Sequence, residues 1–308
     1  GTTGAEENRP DIPGKIVFSA QDGGDDPTFQ IFTMNADGSD IRQLTDDEFS
    51  SSNPAWSPDG SQIAFATARG APVGSDALWV MDADGGNQRP LVFHPETGGP
   101  MFGNHPAWRP DGTKLAFDQC IDCEAFGRNG EIFVADLQNG TIDTLAPHPA
   151  GDGQPKWSLE GEQLLFRSNR DFINADTLRF RNEIYSISVD GNNVRRITFS
   201  SGNLGPSNWL SAESIFYAPQ DIDTRLRDLI VLDFKKGEQH PVLTGLDVSL
   251  FWMFWDPAGQ QFLSIEKESG KVPVTLNLFD LDGNTIEEIL LTDPVLRTAR
   301  GFKWKVIQ

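Results

Sequence analysis

The chain repeats one motif at a nearly fixed interval: a tryptophan, a tight turn and then an apolar strand. The two fullest copies read Pro-Ala-Trp-Ser-Pro-Asp-Gly at 54–60 and Pro-Ala-Trp-Arg-Pro-Asp-Gly at 106–112. The motif tryptophans are 46 to 52 residues apart, at Trp56, Trp108, Trp157, Trp209, Trp255 and Trp304. A period of that length in a chain of 308 residues is typical of a repeat architecture, in which each repeat is one small structural unit.

Each repeat has the pattern of four β-strands. An apolar strand follows the tryptophan turn, as at 62–65 and 114–117, and a further strand pair comes after a loop. In most copies that pair is joined by Asp-Gly or Asn-Gly, for example at 84–85 and 139–140. These dipeptides favour the tight type I′ hairpin, which needs positive φ at both central residues. Six repeats of four strands predict an all-β fold, a six-bladed β-propeller with four-stranded blades.

The two ends of the chain complete one blade in this interpretation. Residues 15–18 match the strand that normally follows a tryptophan turn, and 302–306 match a tryptophan strand with nothing after it. We therefore expect the amino- and carboxyl-terminal strands to pair and to close the ring. The sequence predicts one propeller domain over 14–308. It is preceded by a flexible tether over 1–13, which is polar, carries two prolines and lacks periodicity.

The amino-acid composition limits the kinds of partner that the protein can bind. The net charge of −20 and the pI near 4.5 argue against nucleic acid and anionic membranes, because both attract basic surfaces. No apolar run approaches the roughly 20 residues that a transmembrane helix needs. We expect the tether to follow a removed export or lipoprotein signal, which predicts a periplasmic or extracellular location, with a lipid anchor as one form of attachment. We also expect the protein to be a monomer.

The only two cysteines, Cys120 and Cys123, form a single C-x-x-C in the segment between Asp118 and Gly130. No second cysteine pair exists for a structural zinc site, and the pattern lacks the helix start of a thioredoxin-type motif. The sequence favours a small disulfide that pins a surface hairpin, with free thiols as the alternative.

The tryptophan motif resembles the WD-like propeller repeat of the TolB family. The core Pro-x-Trp-Ser-Pro-Asp-Gly-x-x-Ile/Leu-Ala-Phe is intact around Trp56 and nearly so around Trp108, where Arg109 replaces the serine. The resemblance covers nearly the whole chain from Gly14 and weakens from Trp157 onward. It implies the fold, and it suggests a periplasmic envelope scaffold with a protein partner. The amino-terminal α/β domain of TolB and the Gly-x-Ser-x-Gly elbow of prolyl-oligopeptidase-like relatives are not found in this sequence.

Strand polarity predicts that one end of the blades, the loop face, carries the long and dissimilar connections. Four residues, each three positions before a motif tryptophan, are expected to ring the channel mouth there: Asn53, His105, Gln154 and Trp252. A polar ring with one aromatic member suits a ligand pocket. The alternative is that these side chains only solvate or fill the funnel.

Arginines concentrate in the same loops of this acidic chain. The candidates for binding an anion are Arg167, Arg170, Arg179, Arg181, Arg225, Arg227 and Arg300. The planar guanidinium suits bidentate contact with a carboxylate or sulfate, so an acidic glycan or an acidic protein patch fits. Local pairing with Asp171, Asp176, Asp221 or Asp223 is the competing interpretation.

Calcium is a possible ligand of the first loop, where Asp22, Asp25 and Asp26 lie close together in sequence. Hard cations need several carboxylate oxygens at one point. The alternative is that these carboxylates are simply solvated, and no other cofactor is predicted.

Two functions follow from these patterns. The first is an exported, noncatalytic binding or scaffold propeller that presents its loop face to a protein or glycan partner. The second is a carbohydrate-active lyase or hydrolase acting on an acidic glycan at the channel mouth, with His105 or an arginine assisting loop carboxylates. A carboxylate or an arginine beside His105 would favour the second.

Overall fold

The computed structural model describes residues 14–23, 27–94, 96–122, 129–145, 147–149, 151–172, 182–200, 203–221, 223–224, 226–246, 250–256, 260–267 and 273–305. These residues form 24 β-strands in six four-stranded antiparallel sheets, which are the blades of a β-propeller. The predicted fold class is confirmed. The tether at 1–13 lies outside the described residues, so the proposed domain boundary stays a prediction. No helix in the described part of the chain is long and apolar enough to cross a membrane.

The strands divide into two compact units, and the first comprises residues 1–52 and 248–308. It holds blade 1, in the order β24-β1-β2-β3, and blade 6, in the order β20-β21-β22-β23. The strands of blade 1 are β1 (Lys15–Gln21), β2 (Phe29–Asn35), β3 (Arg42–Gln43) and β24 (Arg300–Lys305). Those of blade 6 are β20 (Leu250–Asp256), β21 (Gln261–Lys267), β22 (Val274–Phe279) and β23 (Thr285–Leu291).

The first and last strands of the chain pair with each other, as predicted. Lys15 lies opposite Lys305, and Ile16 lies opposite Trp304. Phe18 stacks on Phe302 at 5.1 Å and on Phe32 at 5.7 Å between ring centroids, so all three strands share one aromatic core. The pairing is therefore stabilised by buried apolar surface as well as by the hydrogen-bond ladder.

The second unit comprises residues 53–247 and holds blades 2 to 5, each in sequential strand order. Blade 2 consists of β4 (Ser51–Trp56), β5 (Gln62–Thr67), β6 (Ala77–Asp82) and β7 (Arg89–Pro90). Blade 3 consists of β8 (Asn104–Trp108), β9 (Lys114–Asp122), β10 (Asn129–Asp136) and β11 (Ile142–Leu145). Blade 4 consists of β12 (Asp152–Trp157), β13 (Gln163–Ser168), β14 (Glu183–Ser188) and β15 (Arg195–Arg196). Blade 5 consists of β16 (Asn203–Trp209), β17 (Ser214–Gln220), β18 (Arg227–Asp233) and β19 (Glu238–Leu246).

One strand is longer than its sequence pattern indicates. The apolar run predicts a strand at 114–117 and a loop from Asp118, but β9 continues to Asp122. Its backbone pairing with β10 runs on past the apolar residues, with Asp118 opposite Ile132 and Gln119 opposite Glu131. Ladder pairing needs only the backbone, so polar residues extend the hairpin, and Asp118 becomes a strand residue.

The tryptophan turns have a backbone geometry that favours glycine. Gly60, Gly112 and Gly161 have φ values of 74°, 73° and 72°. In the first turn the amide of Gly60 donates to the carbonyl of Ser57 at 3.0 Å, and the third turn repeats this between Gly161 and Ser158 at 2.9 Å. Positive φ is accessible to glycine at little cost, which explains the glycine in these three turns, while the fourth copy has Glu213 at this position.

Indole hydrogen bonds join successive blades of the second unit. The Nε1–H groups of Trp108, Trp157 and Trp209 donate to the carbonyls of Ala55, Ala107 and Lys156 at 3.2, 3.0 and 3.1 Å. In each case the acceptor is the residue immediately before the motif tryptophan of the preceding blade. The repeat therefore encodes the contact between blades as well as the turn within each.

Candidate functional site

Three of the predicted ring residues share an unusual backbone conformation. Asn53, His105 and Gln154 have φ values of 49°, 47° and 56°. The pairing of β8 and of β12 shifts register across the latter two positions, which marks a β-bulge in each strand. Positive φ is uncommon for residues other than glycine and costs about 1–3 kcal/mol where it is held.

The corresponding position of blade 1, in the first unit, is a glycine. Gly301 lies three residues before Trp304 and has a φ of 65°. Glycine alone therefore meets the backbone requirement there. Trp252 occupies the corresponding position of β20, but its side chain lies outside the described part of the structure.

A hydrogen-bonded chain connects the loop-face ends of blades 2 and 3. The Nδ2 of Asn53 donates to Oδ1 of Asn104 at 2.6 Å, and the same oxygen accepts from the backbone amide of His105 at 2.9 Å. Asn104 in turn donates through Nδ2 to Asp76 Oδ2 at 3.3 Å. Side chains thus link the inner strands of blades 2 and 3 at or beside the residues that have positive φ.

His105 lies beside a carboxylate. Its Nδ1 is 2.9 Å from Oδ2 and 3.1 Å from Oδ1 of Asp118, and the two side chains are 33% and 13% exposed. Asp118 Oδ2 also accepts from the backbone amide of Gln154 at 2.7 Å. A Cβ at Gly153 would lie 2.9 Å from the same oxygen, so a glycine admits the carboxylate between the blades. A histidine oriented through Nδ1 in this way keeps Nε2 for other partners.

The predicted arginines that the structure describes do not form one cluster. Arg170 is paired: its Nη2 donates to Asp152 Oδ2 at 2.7 Å, and this carboxylate is almost fully buried. Its guanidinium also lies 5.0 Å from the ring centroids of Phe166 and of Tyr185. Burial raises the pKa of Asp152, while Ser168 and Arg170 act in the opposite direction. Arg170 is thus a structural cation of blade 4.

Arg167 and Arg227 meet at one glycine. Arg167 donates through Nη2 to the carbonyl of Gly205, and Arg227 donates through Nη1 to the carbonyl of Ala218 at 3.1 Å. A Cβ at position 205 would lie 2.5 Å from Nη1 of Arg227. Burial, followed by the charge of Arg227, lowers the pKa of Arg167 to about 10. Two guanidinium groups are therefore held together on blades 4 and 5 in a partly desolvated place.

The remaining site predictions are placed as follows. The guanidinium of Arg300 lies 3.4 Å from the ring centroid of Phe29, within the first unit. Asp22 accepts a hydrogen bond from Thr28 Oγ1 at 3.2 Å, and Cys120 lies on β9. The other predicted residues lie outside the described parts of the chain: Arg179, Arg181, Arg225, Asp25, Asp26 and Cys123. Both the disulfide and the calcium site stay predictions. Within the described ranges no group of three or more His, Cys, Asp or Glu side chains could hold a metal ion.

Sequence reasoning missed a second network on blade 4. Arg196 donates to Asp171 Oδ2 at 2.7 Å and to the buried Glu183 Oε1 at 3.1 Å. The hydroxyl of Tyr185 donates to the same Asp171 oxygen at 2.5 Å. Burial and this bond raise the pKa of Tyr185, and the bond is the largest cause of the lowered pKa of Asp171. Residues 13 and 25 positions apart meet here through the sheet, a spacing that no local motif signals.

A cleft of about 780 Å³ lies between the outer parts of blades 4 and 5. The outer strand β15 spans two residues, while β18 and β19 span seven and nine, so blade 4 leaves part of blade 5 uncovered. The walls include Phe199, Tyr217, Ile230 and Phe234. The short outer hairpin of blade 4 therefore leaves a recess beside blade 5.

Comparison with known proteins agrees with this architecture. TolB from Acinetobacter baumannii superimposes with a TM-score of 0.71 at 17% identity, over 94% of this chain and 66% of that one. An oligogalacturonate lyase in complex with manganese gives a TM-score of 0.61 at 15% identity, over 88% of this chain and 73% of that one. In sequence, the Tol-Pal system protein TolB of Anaeromyxobacter dehalogenans is 30% identical over 130 residues, which are 42% of this chain and 27% of that protein.

These similarities define the class of protein. The chain has the six-bladed propeller fold of TolB-like proteins, so the predicted resemblance is confirmed at the level of the fold. No family model matches the chain. It spans less than half the length of the curated relatives it matches. The similarity therefore concerns the propeller, and it leaves the activity to be argued from the site.

Proposed function

We propose that the protein is an exported binding propeller that holds a glycan or protein partner at the loop-face ends of its inner strands. The observation that carries this proposal is the left-handed conformation of Asn53, His105 and Gln154. Gly301 meets the same backbone requirement without a side chain. Three consecutive blades instead keep polar side chains there at a cost in backbone strain, a pattern typical of functional sites.

Two of these side chains retain groups for a partner. Within the described residues, neither the side-chain amide of Gln154 nor Nε2 of His105 has a hydrogen-bond partner. Asp118 and Asn104 hold the neighbouring backbone, so these groups are presented from a rigid support. The net charge of −20 favours a glycan or protein over nucleic acid. Export to the periplasm or beyond is part of the proposal and is supported by the likeness to TolB.

Replacement by glycine separates binding from folding. Gln154→Gly removes the side chain and relieves the positive φ, so it should keep or raise the melting temperature. In His105→Gly the same relief offsets the loss of the contact with Asp118, so its melting temperature should stay close to that of the wild type. Binding to a panel of acidic and neutral oligosaccharides and peptides, measured by calorimetry, should fall. Asn193→Gly is the matched control, because Asn193 also has positive φ, at 57°, but lies at a hairpin turn on the opposite end of blade 4. Unchanged binding in the double glycine variant, or no binding by the wild type, would refute the proposal.

The His105–Asp118 pair favours a second candidate, a carbohydrate-active enzyme. A carboxylate at Nδ1 fixes the tautomer in which Nε2 accepts a proton, as a general base requires. The fold shared with an oligogalacturonate lyase supports an acidic glycan as substrate. Oligogalacturonate, with and without added manganese, should then yield unsaturated products in the wild type and none in His105→Ala. No product from the wild type would remove this candidate.

A further inference from the structure

Within the described residues, two neighbouring arginines of blades 4 and 5 contact no carboxylate. Asp and Glu number 45 and Lys and Arg 25, so a basic side chain in this protein has a large choice of counter-ions. Arg42, Arg109, Arg170 and Arg196 each pair with a carboxylate. Arg167 and Arg227 instead donate to the backbone carbonyls of Gly205 and Ala218, and within the described residues neither contacts a carboxylate.

The two guanidinium groups are also close together. Arg167 donates to the carbonyl of Gly205, and Arg227 occupies the space beside the Cα of Gly205 that a side chain would fill. Burial first and the charge of Arg227 second lower the pKa of Arg167, because desolvation and a neighbouring like charge both disfavour the charged form. The fold thus retains a repulsion between two positive charges that a single nearby Asp or Glu would relieve.

We infer that Arg167 and Arg227 form the carboxylate-binding point of the loop face, which takes a small acid such as a uronic acid residue. This inference rests on the proposed binding function and adds the chemical class of its ligand. Each guanidinium has five N–H groups and uses one described bond on a carbonyl, so both keep donors for a planar anion. The strand ends around Gly205 leave these guanidinium groups partly covered, which favours a small acid over the flat surface of a folded partner.

The first test uses the protein without ligand. Arg227→Gln keeps a donor for the Ala218 carbonyl but removes the charge, so its melting temperature should equal or exceed that of the wild type. Arg89→Gln is the matched control, because Arg89 is exposed and also donates to a backbone carbonyl, that of Asn87, at 3.2 Å. A clear fall in the melting temperature of Arg227→Gln, with Arg89→Gln unchanged, would show that the pair is structural and overturn the inference.

The second test uses glucuronate and glucose, which differ by a carboxylate, at constant ionic strength. Glucuronate should bind the wild type and Arg89→Gln, and its affinity should fall at least about tenfold in Arg167→Gln and Arg227→Gln. Glucose should bind all four proteins equally weakly. Equal binding of the two sugars, or preference for a glutamate-containing peptide over glucuronate, would overturn the inference.

The outcomes also separate this inference from the function on which it rests. A panel ligand whose binding is lost in Gln154→Gly but unchanged in Arg227→Gln would retain the binding propeller and reject the arginine site. Loss of binding in both Gln154→Gly and Arg227→Gln would support the binding propeller and the arginine site together.

Discussion

Asp118 accepts a hydrogen bond of 2.7 Å from the backbone amide of Gln154. Asp118 lies on the second strand of blade 3 and Gln154 on the first strand of blade 4. The same carboxylate lies 2.9 Å from Nδ1 of His105 on its own blade. One side chain therefore fixes the bulged ends of two inner strands and the ring of the candidate base.

Asp118→Ala should destabilise the protein by about 1–3 kcal/mol, because it leaves the amide of Gln154 and Nδ1 of His105 without their acceptor. Asp118→Asn should cost less, since its amide oxygen can still accept one of the two bonds. Urea denaturation would measure both. Asp143→Ala is the control, because Asp143 is exposed on β11 and should change stability by less than about 0.5 kcal/mol. Equal effects at 118 and 143 would contradict the bridging role.

Trp157→Phe should destabilise the second unit by about 1 kcal/mol or more, because Ala107 loses the indole donor at 3.0 Å and the smaller ring leaves a gap. Trp79 offers a matched comparison. Its indole nitrogen is buried, and the described residues provide it no hydrogen-bond partner. Trp79→Phe removes that unsatisfied group, so thermal unfolding should show a smaller loss than for Trp157→Phe. A loss at least as large at position 79 would refute a specific contribution of the indole bond between blades.

Arg170→Gln should be among the most destabilising changes to a surface-accessible residue of blade 4. It leaves Asp152 buried without its cation, a change that costs about 3–5 kcal/mol. Burial already raises the pKa of Asp152, so the variant should take up a proton on this carboxyl more readily. Arg42→Gln is the control, since its pair with Asp40 is exposed and should contribute less than about 1 kcal/mol. Comparable chemical denaturation midpoints for the two variants would contradict the structural role of Arg170.

The repeat predicted the fold, the glycine turns and the pairing of the end strands because each depends on local residue pattern or on strand order. The three-residue offset from the tryptophan selected Asn53, His105 and Gln154, which share positive φ, while their role in binding stays a prediction. The charge pattern failed to show which arginines are paired. Arg170 and Asp152 are 18 residues apart and Arg167 and Arg227 are 60 apart, so their contacts depend on side-chain direction across a sheet or between blades. Asp118 was assigned to a loop because strand propensity stops at Phe117, whereas the backbone ladder continues beyond it.

Asp59, in the tryptophan turn of blade 2, should make stability depend on pH in the acid range. It accepts from Ser57 Oγ at 2.6 Å and from Oγ and the amide of Ser61 at 2.8 and 3.1 Å. These bonds, that of Ser57 above all, lower its pKa from 3.8 to about 2. Because the folded pKa lies below the unfolded one, the carboxylate's contribution is complete above about pH 4 and is lost as the pH falls through about 2.

Asp59→Asn should therefore differ from the wild type most above pH 4, and the difference in the free energy of unfolding should shrink as the pH falls toward 2. Urea denaturation at several pH values would measure it. Ser57→Ala provides a second readout, because removal of the strongest bond should move the Asp59 titration, followed by NMR, back toward 3.8. A difference between Asp59→Asn and wild type that grows on acidification would have the opposite sign and would contradict this account of the turn.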